Sequence, residues 1–91
     1  MDIKLLRGEM DEVNVGILRL FERRMELSRS IAEYKAEKGL PVCDERREKE
    51  IIKYVSSISE NDTREYAVEL FRTLMRFSRE YQSNLTNNRR Q

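Results

Sequence analysis

Apolar residues in the first part of the chain recur at intervals of three and four. They form one stripe of Leu6, Met10, Val13, Ile17, Leu20, Leu27 and Ile31, and position 24 is its single gap. This spacing is typical of one amphipathic helix. Gly39, with Pro41 two residues later, is a favourable helix end. The pattern therefore predicts a first helix from about residue 3 to about residue 38.

Two shorter helical patterns follow the loop formed by residues 39–43. Asp44 is a suitable N-cap for a second helix over about 45–58. Asp62 and Glu65 have the spacing of a capping box at the start of a third helix, expected over about 62–87. The C-terminal segment 87–91, which contains Arg89 and Arg90, is interpreted as a frayed basic tail. The chain thus predicts an all-α fold of three helices in a single domain, residues 1–91.

The first predicted helix is too long for the rest of the chain to cover. A helix of ~36 residues measures ~54 Å. A compact globule of 91 residues is only about 30 Å across. The apolar stripe must then continue against another chain. We therefore expect an intertwined homodimer, in which the first helix packs across the interface.

Composition narrows the functional classes. Eighteen basic and 17 acidic residues give a net charge of +1, which provides no general reason to expect nucleic acid or a membrane as partner. No apolar run approaches the ~18 residues of a membrane span, and the first residues contain no signal-peptide pattern. The single cysteine, Cys43, excludes an internal disulfide and fits a cytoplasmic location. Because histidine is absent, the commonest general base and metal ligand is missing, and we expect no metal or cofactor.

Five polar residues fall on the inward faces of the predicted helices. They are Arg24 and Lys35 on the first helix, Glu48 on the second, and Ser78 and Gln82 on the third. Each alone has an ordinary structural explanation, such as a snorkelling cation or a carboxylate near a helix N-terminus. Together they would have to satisfy one another with an excess of positive charge, and unpaired buried charges are costly. A shared anionic ligand, a dicarboxylate or a phosphate, explains all five with one assumption.

The same polar positions carry a resemblance to a known family. The chain resembles the all-helical (type II) chorismate mutases along nearly its whole length. The matching pieces are Leu6-Arg7, Glu22-Arg23-Arg24 with Leu27, Ile31 and Lys35, Gly39-Leu40-Pro41-Val42 with Asp44, Arg47-Glu48, and Ser78 with Gln82. The resemblance implies three helices per chain in an interlocked homodimer. It also implies conversion of chorismate to prephenate, an intramolecular [3,3] rearrangement in phenylalanine and tyrosine biosynthesis.

The resemblance further implies a role for each polar residue. Arg24, assisted by Ser78, would clamp one carboxylate of chorismate. Lys35 would hold the other carboxylate and the ether oxygen of the breaking bond, and Gln82 would donate to that oxygen from the opposite side. Lys35, Gln82 and Arg24 are therefore the expected catalytic residues. The other substrate-binding residues would be Arg7 from the partner chain, Glu48 with the backbone of Asp44 at the ring hydroxyl, and Arg47 near the side-chain carboxylate.

Two other functions are compatible with the sequence. An isochorismate-pyruvate lyase would use the same fold and clamp but would eliminate pyruvate from isochorismate. A non-catalytic helical dimer would need only the apolar stripe, and it would have no use for Arg24, Lys35 and Gln82 on inward faces. In some organisms the domain of this family is fused to, or associates with, another shikimate-pathway enzyme, which is a further kind of partner compatible with the sequence.

Overall fold

Three α-helices follow one another along the chain. The computed structural model describes residues 2–90, and the side chains after Asn87 lie outside the described part. The helices are α1 (Ile3–Lys38), α2 (Glu45–Ile58) and α3 (Arg64–Arg90). Because residues 2–90 contain no strand, the all-α prediction is confirmed. The basic tail expected at 87–91 falls almost entirely outside the described side chains, although α3 itself continues to Arg90.

Both ends of α1 are capped by residues that adjoin the helix in the sequence. At the start, the Asp2 carboxylate accepts a hydrogen bond from the Lys4 N–H at 2.8 Å. At the end, Gly39 has φ 66° and ψ 29°, a left-handed conformation that glycine adopts without a clash of Cβ. The N–H of Leu40 then donates to the Lys35 carbonyl oxygen at 2.8 Å. The chain therefore turns back sharply beside the last turn of α1.

The connection between α2 and α3 differs from the prediction. α3 begins at Arg64, two residues later than expected, because residues 61–63 form a turn. The Arg64 guanidinium fixes this turn by donating to the carbonyl oxygens of Ser56 and Ser59, at 2.7 and 2.8 Å. These bonds tie the end of α2 to the start of α3. Because α3 begins at Arg64, the residue that precedes the helix is Thr63, and the predicted capping box of Asp62 and Glu65 is wrong.

α3 is the central element of the chain, since it packs against both α1 and α2. The face of α1 that packs against α3 does not coincide with the apolar stripe of α1. Ser28 and Ala32 of α1 are buried, whereas Leu27 and Ile31 remain 46% and 47% exposed. At ~100° per residue, the packed face lies about 60° from the centre of the stripe. The small residues Ser28 and Ala32 let α1 approach α3 closely.

The core of the single chain is small. Ala32, Val55 and Met75 are the only buried apolar side chains in the part that the structure describes. The accessible surface is 7890 Å², against roughly 5600 Å² for a compact monomer of this mass. Residues 3–20 are exposed throughout, and the molecule extends 55 × 28 × 14 Å. None of the described helices is both long and apolar enough to cross a membrane.

Candidate active site

The inward polar residues of the three helices border one cavity. Its volume is about 400 Å³, within the range of roughly 300–1,000 Å³ typical of small-molecule pockets. The expected site residues in its wall are Arg24, Lys35, Asp44, Arg47, Glu48, Ser78 and Gln82. Leu27 and Ile31, the half-exposed residues of the α1 stripe, form part of its apolar lining.

Arg7 is the one expected site residue that lies elsewhere. It is exposed in the first part of α1, and 17 residues separate it from Arg24. That separation is ~25 Å along a helix axis, which no side chain spans. Arg7 therefore cannot reach the cavity of its own chain, and a role for it requires a second chain.

Arg24 is a half-buried cation that faces the cavity from α1. Its Nη1 donates to Ser78 Oγ at 2.7 Å and to the Leu74 carbonyl oxygen at 3.2 Å. Burial lowers the pKa of Arg24 below its ordinary value, because desolvation disfavours the charged form. Arg24 takes part in none of the ion pairs of the described residues. A carboxylate ligand would supply the missing counter-charge.

Two serine hydroxyls continue the hydrogen-bond chain from Arg24. The buried Ser28 Oγ donates to Ser78 Oγ at 3.0 Å. Ser78 Oγ thus accepts from both Arg24 and Ser28, which occupies its two lone pairs and leaves its own hydrogen free to donate. Ser28 was not among the expected site residues. Its position four residues after Arg24, on the same helix face, is the sequence signal that could have found it.

Lys35 holds the loop between α1 and α2 against the cavity. Its Nζ donates to the carbonyl oxygen of Val42 at 2.6 Å. An ammonium group has three hydrogens, so two remain for a ligand. Lys35, like Arg24, takes part in none of the ion pairs within residues 2–87.

Gln82 approaches the cavity from α3 and is only 5% exposed. Its Oε1 has no hydrogen-bond partner among the described residues. A buried amide oxygen without a partner costs about 1–3 kcal/mol. Since the oxygen and nitrogen of an amide are distinguished only by their partners, either end can face a ligand. The Gln82 amide is therefore a polar group at the cavity wall that is able to bind a ligand.

Asp44 and Arg47 form the rim of the cavity at the start of α2. The Asp44 carboxylate accepts from the Arg47 N–H at 3.1 Å, which is the N-cap that the sequence predicted. The Arg47 side chain is exposed and its Nη1 lies 3.4 Å from Glu50 Oε2. Arg47 is thus available to a ligand only at the cavity mouth.

Glu48 is the cavity carboxylate that has a cationic partner. Nη1 of Arg79 on α3 donates to Oε1 of Glu48, and this hydrogen bond raises the pKa of Arg79. Arg79 also lines the cavity, but the sequence analysis missed it. It follows Ser78 directly and so falls beside the inward stripe of α3. Glu48 lies 31 positions earlier in the chain, so no local pattern links the two residues.

The cavity carries an excess of positive charge. Its lining contains four cationic side chains and two carboxylates, an excess of two. Such an excess favours a ligand with two negative charges, because partly buried cations need counter-ions. No group of three acidic or cysteine side chains in the described part of the chain is arranged to hold a metal ion. The site is therefore suited to a small dianion of mixed apolar and polar character.

One comparison with known families gives a match. A family model described as chorismate mutase type II matches residues 6–83. The match includes residues of all three helices, the cavity lining and Arg7. The comparisons with curated proteins and with solved structures give no match.

Proposed function

The chain belongs to the type II chorismate mutase family, and we propose that it converts chorismate to prephenate. One observation carries the proposal. Arg24 and Lys35 line the cavity without a carboxylate partner among the described residues, and the buried Gln82 amide oxygen lacks any partner beside them. Chorismate brings two carboxylates, which are the counter-ions that Arg24 and Lys35 lack. It also brings an ether oxygen, to which Gln82 can donate when its amide is turned so that Nε2 takes the place of the partnerless Oε1.

The first task of the site is to hold the substrate in a reactive shape. In the rearrangement, the ether C–O bond breaks as a C–C bond forms within the same molecule, so no nucleophile or metal is needed. Arg24 and the free hydrogen of Ser78 bind one carboxylate, and Lys35 binds the other. Fixing both carboxylates selects the compact conformer in which the two reacting carbons are close, and such positioning lowers the barrier substantially.

The second task is to stabilise charge in the transition state. As the C–O bond breaks, negative charge develops on the ether oxygen. Lys35 and the Nε2 of Gln82 donate to that oxygen from opposite sides. Donors already fixed in a partly water-excluded site act strongly, and loss of one costs about 10²–10³-fold in rate. Lys35 and Gln82 are therefore catalytic residues in this proposal, with Arg24 as the main clamp.

The ring hydroxyl and the cavity mouth involve α2. The Glu48 carboxylate accepts a hydrogen bond from the ring hydroxyl, and the backbone at Asp44 contacts the same hydroxyl. Arg47 lies at the rim and supports the side-chain carboxylate as it enters. These contacts orient the ring, so we expect them to affect KM more than kcat.

We propose that the active protein is an intertwined homodimer with two sites. The single chain has roughly 2300 Å² more accessible surface than a compact monomer of its mass, and its exposed residues 3–20 include the apolar stripe. Arg7, ~25 Å from Arg24 along α1, would enter the cavity of the partner chain. The wider proposal is a cytoplasmic enzyme of phenylalanine and tyrosine biosynthesis, with another shikimate-pathway enzyme as a further partner.

Incubation with each of two substrates tests the proposed reaction. The purified protein is given chorismate or isochorismate, and prephenate and pyruvate are measured by mass spectrometry. We expect prephenate from chorismate and no pyruvate from isochorismate. Pyruvate from isochorismate without prephenate would assign the lyase activity instead, and turnover of neither substrate would leave a non-catalytic dimer. Arg24→Ala serves as the control for a contaminating mutase, since that variant must lose the activity.

A further inference from the structure

Glu48 presents an electrostatic problem to a site built for a dianion. A carboxylate beside a bound dicarboxylate repels it, because like charges disfavour one another in a partly buried site. A free Glu48 could also pair with Arg24 or Lys35, which line the same cavity, and so occupy the place of the substrate. A useful Glu48 must therefore be both neutralised and held in place.

Arg79 meets both requirements through one hydrogen bond. Its Nη1 donates to Glu48 Oε1, whereas Glu48 Oε2 has no donor among the described residues. The Glu48 and Arg79 side chains are 25% and 35% exposed, so the pair is more shielded than the other ion pairs of the described chain. The bond joins α2 to α3 along the cavity wall. One carboxylate oxygen is thus fixed and the other remains available.

We propose that Arg79 is a positioning residue that anchors Glu48 so that Oε2 accepts the hydrogen bond of the substrate's ring hydroxyl. The inference rests on the proposed function of the cavity, and it assigns to Arg79 no contact with the reacting atoms. Arg79 acts through Glu48 in two ways. It cancels the repulsion between this carboxylate and the substrate, and it prevents Glu48 from turning toward Arg24 and Lys35.

A double-mutant cycle separates this role from a structural one. In the native background, Arg79→Met should raise KM for chorismate about tenfold and change kcat by less than about threefold, because a binding contact is lost in ground and transition states alike. Arg79→Lys, which retains the charge, should restore KM to within about threefold. In a Glu48→Gln background, where no negative charge needs an anchor, Arg79→Met should change KM by less than about twofold.

Arg72→Met provides the matched control. Arg72 lies seven residues before Arg79 on the same side of α3, and it lines the outer α2–α3 groove but not the cavity. Its substitution should leave KM and kcat unchanged. Thermal unfolding of all variants shows whether any loss reflects a weakened α2–α3 contact.

The result that overturns the inference is distinct from failure of the proposed function. If native protein fails to convert chorismate, the proposed function is wrong whatever the Arg79 variants do. If native protein is active, the inference fails when Arg79→Met keeps the native KM. It also fails when the loss is the same in the Glu48→Gln background, because a structural role would reduce activity equally in both.

Discussion

The two halves of α1 carry one apolar stripe but have opposite surroundings. Residues 21–38 contact α3 and border the cavity, whereas residues 3–20 are exposed at every position. Ser28 and Ala32 of the second half are buried, whereas Val13 and Ile17 of the first half are 55% and 59% exposed. The difference shows that an apolar pattern specifies a face to be covered, but not which chain covers it.

Substitution of the cavity cations should give the largest effect and tests the function of the second half of α1. In the proposed mechanism, Lys35→Ala removes a donor to both a carboxylate and the ether oxygen. We expect kcat/KM to fall by at least about 10³-fold, because such donors act in the transition state. Steady-state kinetics with chorismate measure the loss, and native mass spectrometry should give an unchanged oligomer.

Arg23→Ala is the matched control for the cavity cations. Arg23 adjoins Arg24 in sequence, but it points to solvent and pairs with Glu26 at 3.1 Å. Exposed pairs contribute about 0–1 kcal/mol, so activity should be retained. A fully active Lys35→Ala variant would show that the cavity is not the active site.

In the proposed dimer, Arg7 of one chain would reach the cavity beside the second half of α1 in the other chain. Arg7→Ala should lower kcat/KM about 100-fold by removing one carboxylate contact. The informative measurement is complementation with Arg24→Ala. In a mixed dimer, one site combines the intact Arg24 of one chain with the intact Arg7 of the other.

An equal mixture of the two variants, unfolded and refolded together, should therefore regain about a quarter of the native activity, since about half of the dimers are mixed and each has one intact site. The separately refolded variants, mixed afterwards and assayed at once, are the control. If co-refolding restores nothing, Arg7 does not act in the partner's site.

A charge in the exposed stripe tests whether the first half of α1 is covered by a second chain. Val13→Lys places an ammonium group on the stripe, where burial against a partner would be unfavourable. We expect the dissociation constant of the dimer to rise on the order of 30-fold. Sedimentation at several protein concentrations measures this constant. Asp11→Lys adds the same residue on the opposite side of α1 and should leave the dimer intact. Equal behaviour of both variants would place the interface elsewhere.

The smallest expected effect is that of pH. Arg24 remains a guanidinium despite its lowered pKa, because arginine is not deprotonated in proteins under ordinary conditions. A cation whose pKa is lowered by folding opposes folding below that pKa, and the penalty disappears only as pH rises through it. The pKa of Arg24 lies far above neutral pH, so this penalty is constant across the range of the assay. Gln82 has no ionisable group. We therefore expect kcat/KM to change by less than about threefold between pH 5 and 8, and a steep change would contradict the assigned groups.

The sequence predicted the architecture because its signals are local. Stripe spacing and Gly39 set the ends of α1, and the Asp44 N-cap starts α2 where it was expected. The start of α3 was missed because the turn at residues 61–63 depends on Arg64, which bonds to carbonyl oxygens at the end of α2. Such tertiary bonds have no signature in a helical pattern.

The candidate site was predictable to the extent that its residues interrupt apolar faces. Arg24, Gln82 and Ser78 stand out for that reason, and the structure brings them to one cavity. Ser28 and Arg79 do not stand out. A buried serine resembles a small core residue, and Arg79 lies beside the stripe, where charged residues are ordinary. Their contacts join residues that are 50 and 31 positions apart in the chain, so the folded geometry is needed to show these contacts. The position of Ser28 one turn after Arg24 indicates only that both lie on the same face of α1.

The small core has a consequence for how this protein responds to dilution. Three buried apolar side chains in the described chain leave little to hold an isolated protomer together. When a copy of the same chain completes the core, folding and association become a single equilibrium, and the folded fraction depends on mass action. Each tenfold dilution then lowers the stability of the dimer by about 1.4 kcal/mol. The melting temperature of this protein would therefore depend on the protein concentration at which it is measured.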